Sequence, residues 1–336
     1  MYRTLIVPLD GSARSQGALP VAARLAHACD ATLELVRVHL SDRPDLDSDP
    51  SWDDMFRQGQ RQYLASLAEA YEPIAGRRVV TALLDPPVVD ALCEYASSRP
   101  APLVVMTARG RTGMRRALLG SVSDGVVRHG SGPVLMLQDG PGGGRPRSWN
   151  GTDHPLRTIV VPLDGTTFAE AGVAHAVAMA RVTGATVHLI RVIGLGPSGM
   201  AIGEFAMQAL PPFDEAELLR NDLAHEYLQG MVDRITAGGR RVDITTEVAL
   251  SAQTGTAIAE SCRRHGADLV VMATHGRGGS RLLVGAVADQ LLKDGPGAIL
   301  FVRPTNASLP AGLRTKSRAR QRADRESDLA IPVDVY

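Results

Sequence analysis

The chain contains very little lysine, cysteine or aromatic side chain, and it has no excess of charge of either sign. Only Lys293 and Lys316 are lysines, which argues against a P-loop NTPase or a Schiff-base enzyme, because both need a lysine in the site. The three cysteines, Cys29, Cys93 and Cys262, lack CxxC spacing and indicate neither a zinc site nor a disulfide framework. The 36 basic residues are balanced by 36 acidic residues, so electrostatic binding of nucleic acid is not favoured.

Long apolar runs are absent as well. No run approaches the roughly 18 residues of a membrane span, and residues 1–7 enter a strand pattern without the apolar core of a signal peptide. We therefore expect a cytoplasmic protein with no membrane partner. The hydrophobic fraction of 44% and the charged fraction of 21% are ordinary for a globular chain of 336 residues.

What the chain does contain is one unit in two copies. The string VPLDG occurs at residues 7–11 and again at 161–165, and LVVM occurs at 103–106 and again at 269–272. An internal repeat of this length indicates two tandem domains, each long enough to bury its own core.

The repeat also predicts the domain boundaries. The first domain is expected over residues 1–139, and the second over 157–304. Glycine and proline in 140–156 indicate a flexible linker, and the arginine-rich tail at 305–336 is expected to be disordered. The second copy has a longer loop at 194–212, which is either a plain surface loop or a lid or partner-binding segment.

Strand and helix patterns alternate strictly in each copy. In the first copy, strands are predicted near 5–9, 32–38, 78–84, 103–106 and 134–137, with helices at 12–27, 53–71, 87–96 and 118–128. In the second copy, strands are predicted near 158–163, 186–193, 242–248, 269–272 and 299–302. This alternation predicts an α/β protein of two tandem doubly wound domains, each a five-stranded parallel sheet in the order 3-2-1-4-5 with helices on both faces.

Each copy places an aspartate after its first strand and a glycine-rich string after its fourth. Asp10 precedes the string ARGRTG at 108–113, and Asp164 precedes THGRGG at 274–279. In a parallel sheet the ligand site lies at the carboxyl ends of the strands, where the strand order reverses. A glycine loop that opens a helix there favours phosphate, through backbone amides and the helix dipole.

These motifs resemble universal stress protein domains, and the whole chain resembles a tandem universal stress protein. The ATP-binding branch of that family carries Gly-x-x-Gly, nine residues, and then Gly-Ser or Gly-Thr. The first copy has Thr107 at the leading position, Gly110, nine residues, and then Gly120 with Ser121. The second copy has Ala273, Gly276, only eight residues, and then Gly285 with Ala286.

The resemblance implies that the first domain binds ATP, with Mg²⁺ as an accompanying ion. Asp10 would accept from a ribose hydroxyl or the adenine region, Val38 would line the adenine face, and Ser121 and Ser123 would donate to phosphate. The predicted binding residues of the first domain are Pro8, Leu9, Asp10, Val38, Met106, Thr107, Gly110, Arg111, Gly113, Gly120, Ser121, Val122 and Ser123.

The second domain keeps the pattern in a reduced form, and its nucleotide binding is left open. The corresponding residues are Pro162, Leu163, Asp164, Val192, Met272, Ala273, Gly276, Arg277, Gly279, Gly285, Ala286 and Val287. The missing loop residue changes the path of the loop. Ala286 also removes a phosphate donor worth about 1 to 3 kcal/mol if its partner stays buried.

The resulting hypothesis is an ATP-binding stress-response or signalling protein without rapid catalysis, with weak ATP hydrolysis at most. No catalytic and no metal-ligating residue is predicted. Alternatives are a slow ATP hydrolase or nucleotidyl-transferring enzyme, a nucleotide-free interaction module with a protein partner, and an FMN-binding protein. The resemblance implies pairing of the two copies through their fifth strands as an internal pseudo-dimer, while a further homodimer is left open.

Overall fold

A computed structural model describes residues 1–40, 50–108, 120–138, 155–194, 213–239, 242–274 and 285–304. Both predicted glycine loops, most of the predicted linker, the long loop predicted at 194–212 and the predicted tail fall on the remaining residues. In the part of the chain that is described, no helix has the length and apolar character needed to cross a membrane.

Each domain alternates strands with helices. The strands of the first domain are β1 (Thr4–Pro8), β2 (Thr32–Val38), β3 (Val80–Leu84), β4 (Pro102–Thr107) and β5 (Val134–Leu137). Its helices are α1 (Ala13–Gln16), α2 (Leu19–Cys29), α3 (Pro50–Ala75), α4 (Val88–Ser97) and α5 (Ser121–His129). The strands of the second domain are β6 (Thr158–Pro162), β7 (Thr186–Ile193), β8 (Ile244–Leu250), β9 (Leu269–Ala273) and β10 (Ala298–Val302). Its helices are α6 (Thr167–Thr183), α7 (Phe213–Thr236), α8 (Thr254–Arg264) and α9 (Ala286–Asp294).

The ten strands form one continuous sheet. Their order is β3-β2-β1-β4-β5-β10-β9-β6-β7-β8, so each half has the predicted order 3-2-1-4-5 with parallel neighbours. The two halves meet through β5 and β10, which pair antiparallel with Phe301 opposite Val134. The amide of Gln138 donates to the carbonyl of Gly297 at 2.7 Å and extends this junction. The arrangement is the fifth-strand pairing that the family resemblance implies.

The core lies on both faces of the sheet and crosses from one domain to the other. Successive strand residues point to opposite faces, so Leu135 and Leu300 belong to one apolar cluster while Met136 and Phe301 belong to the other. Each cluster contains residues of both domains. Because the two halves share both cores, we expect them to unfold as one unit.

The single helix predicted over residues 12–27 is wrong. The chain forms the short α1, turns at Gly17, and begins α2 at Leu19. Pro20 stands at the second position of α2, where the missing amide hydrogen breaks no helical bond, whereas inside a longer helix it would. Ser12 caps α1 as predicted, accepting from the amide of Ser15 at 3.2 Å.

Other boundaries shift by a few residues. The third strand of each domain begins two residues later than predicted, at Val80 and Ile244. Helix α5 begins at Ser121 rather than at residue 118, and α3 runs past its predicted end to Ala75. These are end effects that leave the element order as predicted.

Tyr2 and His175 join the two domains beside the sheet. The Tyr2 hydroxyl and Nδ1 of His175 lie 2.7 Å apart in a hydrogen bond, and the two rings stack with centroids 5.8 Å apart. Burial, followed by the charge of the amino terminus, lowers the pKa of His175 to about 4. The imidazole is therefore neutral in the folded protein at neutral pH.

This histidine makes stability depend on pH. In the unfolded chain a histidine titrates near about 6.5, so below that pH the unfolded state binds a proton that the folded state does not. The contribution of neutral His175 to the free energy of unfolding is complete above about pH 6.5 and is lost as the pH falls toward about 4. At pH 4.5 the loss is about 2 to 3 kcal/mol. Urea unfolding at pH 7 and pH 4.5 measures how much the free energy of unfolding falls between these pH values. This fall should be smaller in His175→Gln than in the wild type. In His225→Gln, which changes an exposed histidine, it should equal that of the wild type.

Candidate functional site

The turn after β1 holds Asp10 in a fixed position. The amide of Leu9 donates to the carbonyl of Val36 at 2.7 Å, which carries the β1–β2 pairing to the edge of the sheet. Oδ1 of Asp10 then accepts from the amide of Ser12 at 2.9 Å and from its hydroxyl at 2.6 Å. Burial raises the pKa of the Asp10 carboxyl, but hydrogen bonds from Ser12 and Ser15 outweigh it and lower the pKa below its usual value. Asp10 is therefore an ionised acceptor at neutral pH.

Gly11 brings an arginine against this turn. Its φ of +90° favours glycine, and a Cβ there would lie 2.7 Å from Nη1 of Arg37. The guanidinium of Arg37 also lies 5.4 Å from the ring centroid of Tyr63 in α3, a cation–π distance. The second domain repeats the arrangement with Gly165, Arg191 and Tyr227.

The start of α5 faces the same edge of the sheet. Its N-cap Gly120 has an extended backbone with a φ of −67° and provides no side-chain cap. A Cβ on Gly120 would meet no atom of the described residues within 4 Å. The opening amides of a helix and its dipole favour an anion. The hydroxyl of Thr107, at the end of β4, donates to the carbonyl of Arg14 at 3.3 Å and ties β4 to α1.

These elements surround a cavity of about 510 Å³, within the range of roughly 300 to 1,000 Å³ for small-molecule sites. One wall is apolar and consists of Val36, Val38, Leu40, Val88, Leu92 and Met106. The polar lining consists of Asp10, Ser12, Arg14, Ser15, Arg37, Thr107, Ser121 and Ser123. The remaining lining residues are Pro8, Leu9, Gly120 and Val122.

The cavity brings together ten of the predicted binding residues of the first domain. They are Pro8, Leu9, Asp10, Val38, Met106, Thr107, Gly120, Ser121, Val122 and Ser123. Gly110, Arg111 and Gly113 lie outside the described residues. The assignment of these residues to a nucleotide stays a prediction.

Several lining residues are not among those predicted from the sequence. Val36 and Leu40 lie two positions before and after Val38, so the period of a strand would have found them. Val88 and Leu92 are separated by one helical turn of α4. Arg37 was detectable only through the repeat, because Arg191 stands at the matching place in the second copy.

The second domain repeats the aspartate turn. Oδ1 of Asp164 accepts from the amide of Thr166 at 2.9 Å and from its hydroxyl at 2.6 Å. The neighbouring predicted residues lie at strand ends of this domain: Pro162 and Leu163 at β6, Val192 in β7, and Met272 and Ala273 at β9. They therefore share the carboxyl edge of the second half of the sheet.

The entry into α9 differs from the entry into α5. Gly285 caps α9 with a φ of +110°, whereas Gly120 has a φ of −67°. Ala286 and Val287 open the helix, and Ala288 stands where α5 carries Ser123. The predicted loop residues Gly276, Arg277 and Gly279 lie outside the described residues. The second helix thus begins with a different backbone path and without either hydroxyl.

Comparison with known proteins gives consistent matches. The model of the universal stress protein family matches residues 1–138 and again residues 155–303. A universal stress protein of Mycobacterium tuberculosis is 24% identical over 332 residues, covering 91% of this chain and 97% of that protein. A universal stress protein of Methanocaldococcus jannaschii is 28% identical over 142 residues, covering 41% of this chain and 83% of that protein.

Solved structures support the fold. The crystal structure of a universal stress protein from Archaeoglobus fulgidus superposes with a TM-score of 0.63 and covers 89% of this chain and 98% of that one. At 18% sequence identity this likeness shows the fold alone.

Proposed function

The chain belongs to the universal stress protein family, and from that premise we propose that its first domain binds ATP and acts as a nucleotide-dependent regulator in a stress response. The observation that carries this proposal is the cavity between β1, β2, β4, α4 and α5. It pairs an apolar wall with a helix start that has no side-chain cap.

The apolar wall suits a flat purine base. Val36 and Val38 belong to β2 and Met106 to β4, the two strands that flank β1, and Val88 and Leu92 approach from α4. Small-molecule sites typically combine such a wall with a few polar groups that fix orientation. The base would lie against β2 and β4.

The opposite end suits phosphate. Gly120 leaves open space at the start of α5, and Ser121 and Ser123 place hydroxyls in its first turn. Arg14 and Arg37 add positive charge to the lining. A triphosphate would enter with Mg²⁺, which binds phosphate oxygens while keeping several waters.

Asp10 is placed between these two ends of the cavity in the proposed binding mode. Ser12 occupies only Oδ1, and an ionised carboxylate offers about four acceptor positions. Asp10 would use the remaining positions to accept from a ribose hydroxyl. This assigns it both a turn-stabilising role and a binding role.

We propose binding without rapid catalysis. Among the described residues that line the cavity there is no histidine, lysine, cysteine or glutamate, and the one carboxylate, Asp10, has a pKa below its usual value. A general base works best when its pKa lies near the operating pH, and that of Asp10 does not. The regulatory step would instead be a nucleotide-dependent change of surface near α5, in the cytoplasm.

Calorimetry tests this function. Chain freed of bound small molecules by unfolding and refolding is titrated with ATP and Mg²⁺, and in parallel with GTP. The proposal predicts saturable ATP binding with a stoichiometry near one per chain, and weaker GTP binding. Absence of heat above the dilution control at millimolar ATP would contradict it.

The two hydroxyls of α5 provide a further prediction. The double substitution Ser121→Ala with Ser123→Ala gives the first domain the residues that the second domain has at Ala286 and Ala288. Each lost hydrogen bond to phosphate costs about 1 kcal/mol, so ATP affinity should fall about thirtyfold. Ser97→Ala, whose hydroxyl bonds within α4, should leave the affinity unchanged in the same titration.

A second candidate function is an interaction module that works without nucleotide. It is favoured by three leucines near the start of α7, Leu218, Leu219 and Leu223, whose exposed fractions are 62%, 60% and 52%. If partner binding survives Gly120→Val, which removes the nucleotide site, this candidate is favoured over the first. This second candidate function includes the association of two copies of the chain into a homodimer.

A further inference from the structure

We propose that the second domain contains a zinc site formed by His188, Glu247 and His265. His188 lies in β7, Glu247 in the neighbouring β8, and His265 directly after the end of α8. This place is separate from the predicted nucleotide residues of the second domain, because His188 lies near the amino end of β7 and not at its carboxyl end.

The three donor atoms already lie close enough to share an ion. Oε2 of Glu247 is 3.1 Å from Nε2 of His188 and 3.3 Å from Nε2 of His265. One ligand atom from each residue lies within 4.8 Å of the other two. Zinc bonds of roughly 2.0 to 2.2 Å in tetrahedral geometry separate neighbouring ligands by about 3.3 Å. Side-chain adjustment is needed mainly at His265, because its ring centroid lies 3.9 Å from that of His188 with the two planes tilted by 32°.

Neighbouring groups hold two of the ligands in place. Nδ1 of His188 is hydrogen-bonded to Oγ1 of Thr245 at 2.8 Å, which leaves Nε2 toward Glu247. The Ser261 hydroxyl donates to Oε2 of Glu247 at 2.6 Å, and the Arg264 guanidinium pairs with the other oxygen. Supporting bonds of this kind orient the ligands of protein metal sites.

Burial and donor type favour zinc over calcium and magnesium. The His188 side chain is 2% exposed and that of Glu247 is 18% exposed, while His265 closes the cluster from the surface with 41%. Calcium and magnesium prefer all-oxygen ligands, whereas two imidazoles and one carboxylate are typical of zinc with a water as fourth ligand.

The first domain supplies an internal comparison. Glu34 stands at the place in β2 that corresponds to His188, and it pairs with Arg99 at 2.8 Å. That ordinary ion pair needs no metal. In the second domain the same region of the fold carries two histidines around one carboxylate. These three side chains offer metal-ligand atoms, whereas the first domain has an ion pair.

Zinc titration of the untagged chain tests the proposal. After EDTA treatment and removal of the chelator, binding is followed by calorimetry, and bound metal is counted by mass spectrometry. We expect one Zn²⁺ per chain, and Co²⁺ at the same site should give the visible absorption of tetrahedral coordination. His265→Gln should weaken zinc affinity at least about tenfold. His225→Gln changes an exposed histidine of α7 and should leave the affinity unchanged.

Glu247→Gln is the second variant, and the melting temperature of each protein shows whether it is folded. Zinc should raise the melting temperature of the wild type and of His225→Gln, and this increase should be lost in His265→Gln. Two results would overturn the site: no saturable zinc binding by the wild type, or wild-type affinity in both His265→Gln and Glu247→Gln. In that case the cluster is a hydrogen-bonded network around Glu247 without a metal.

Discussion

Gly120→Val should lower the ATP affinity of the first domain by about 100-fold or more, while the free energy of unfolding falls by no more than about 1 kcal/mol. Gly120 lines the cavity at the start of α5, and within the part of the chain that the structure describes a Cβ there would meet no atom within 4 Å. Its φ of −67° is accessible to any residue, so valine causes no backbone strain. The branched side chain would instead occupy the space that we assign to phosphate.

A matched control separates this effect from a general effect of valine. Gly59→Val makes the same change at an exposed glycine of α3 that also has no atom within 4 Å. Calorimetric titration with ATP and urea unfolding should be run on both variants. If Gly120→Val binds ATP with unchanged affinity, the phosphate does not bind at the start of α5. A large loss of stability would show that the glycine is a packing requirement.

Phe301→Ala should lower the free energy of unfolding of the whole chain by about 3 to 5 kcal/mol. Phe301 lies in β10 at the junction with β5, and it is 1% exposed. It belongs to the apolar cluster that also includes Met136 of the first domain and Val270 of the second. Removing the ring leaves a cavity that is shared by both halves.

The number of unfolding transitions tests the shared core as directly as the urea concentration at the midpoint does. Urea unfolding should remain a single transition that moves to lower urea concentration. Leu218→Ala, at a leucine that is 62% exposed, should change the free energy by less than about 0.5 kcal/mol. Two separate transitions, of which Phe301→Ala moves only one, would contradict a shared core.

The element order was predictable because the physical signals are local. Apolar runs bounded by turn residues defined β2, β5 and β7 with the bounds that the structure has. The break between α1 and α2 was missed because the apolar spacing continues across it, and only Pro20 marks the new helix start. The start of α5 was placed too early because its apolar pattern extends upstream of Gly120.

The site was predictable to the extent that the fold determines it. Residues at the carboxyl ends of β1 and β4 share one edge, and Asp10 and Thr107 line the same cavity there, while their role in binding stays a prediction. Arg37 and the α4 residues were not predicted, because a repeated arginine and one helical turn of spacing do not by themselves indicate a cavity lining. His188 and Glu247 are 59 residues apart, and only the pairing of β7 with β8 makes them neighbours.

Photoaffinity labelling with 8-azido-ATP tests the location of the nucleotide most directly. After irradiation and proteolysis, labelled peptides are identified by mass spectrometry, with and without excess ATP. Label is expected on peptides from β2, β4 or α4 of the first domain, and it should be competed by ATP and lost in Gly120→Val. No competable label, or competable label confined to the second domain, would contradict it.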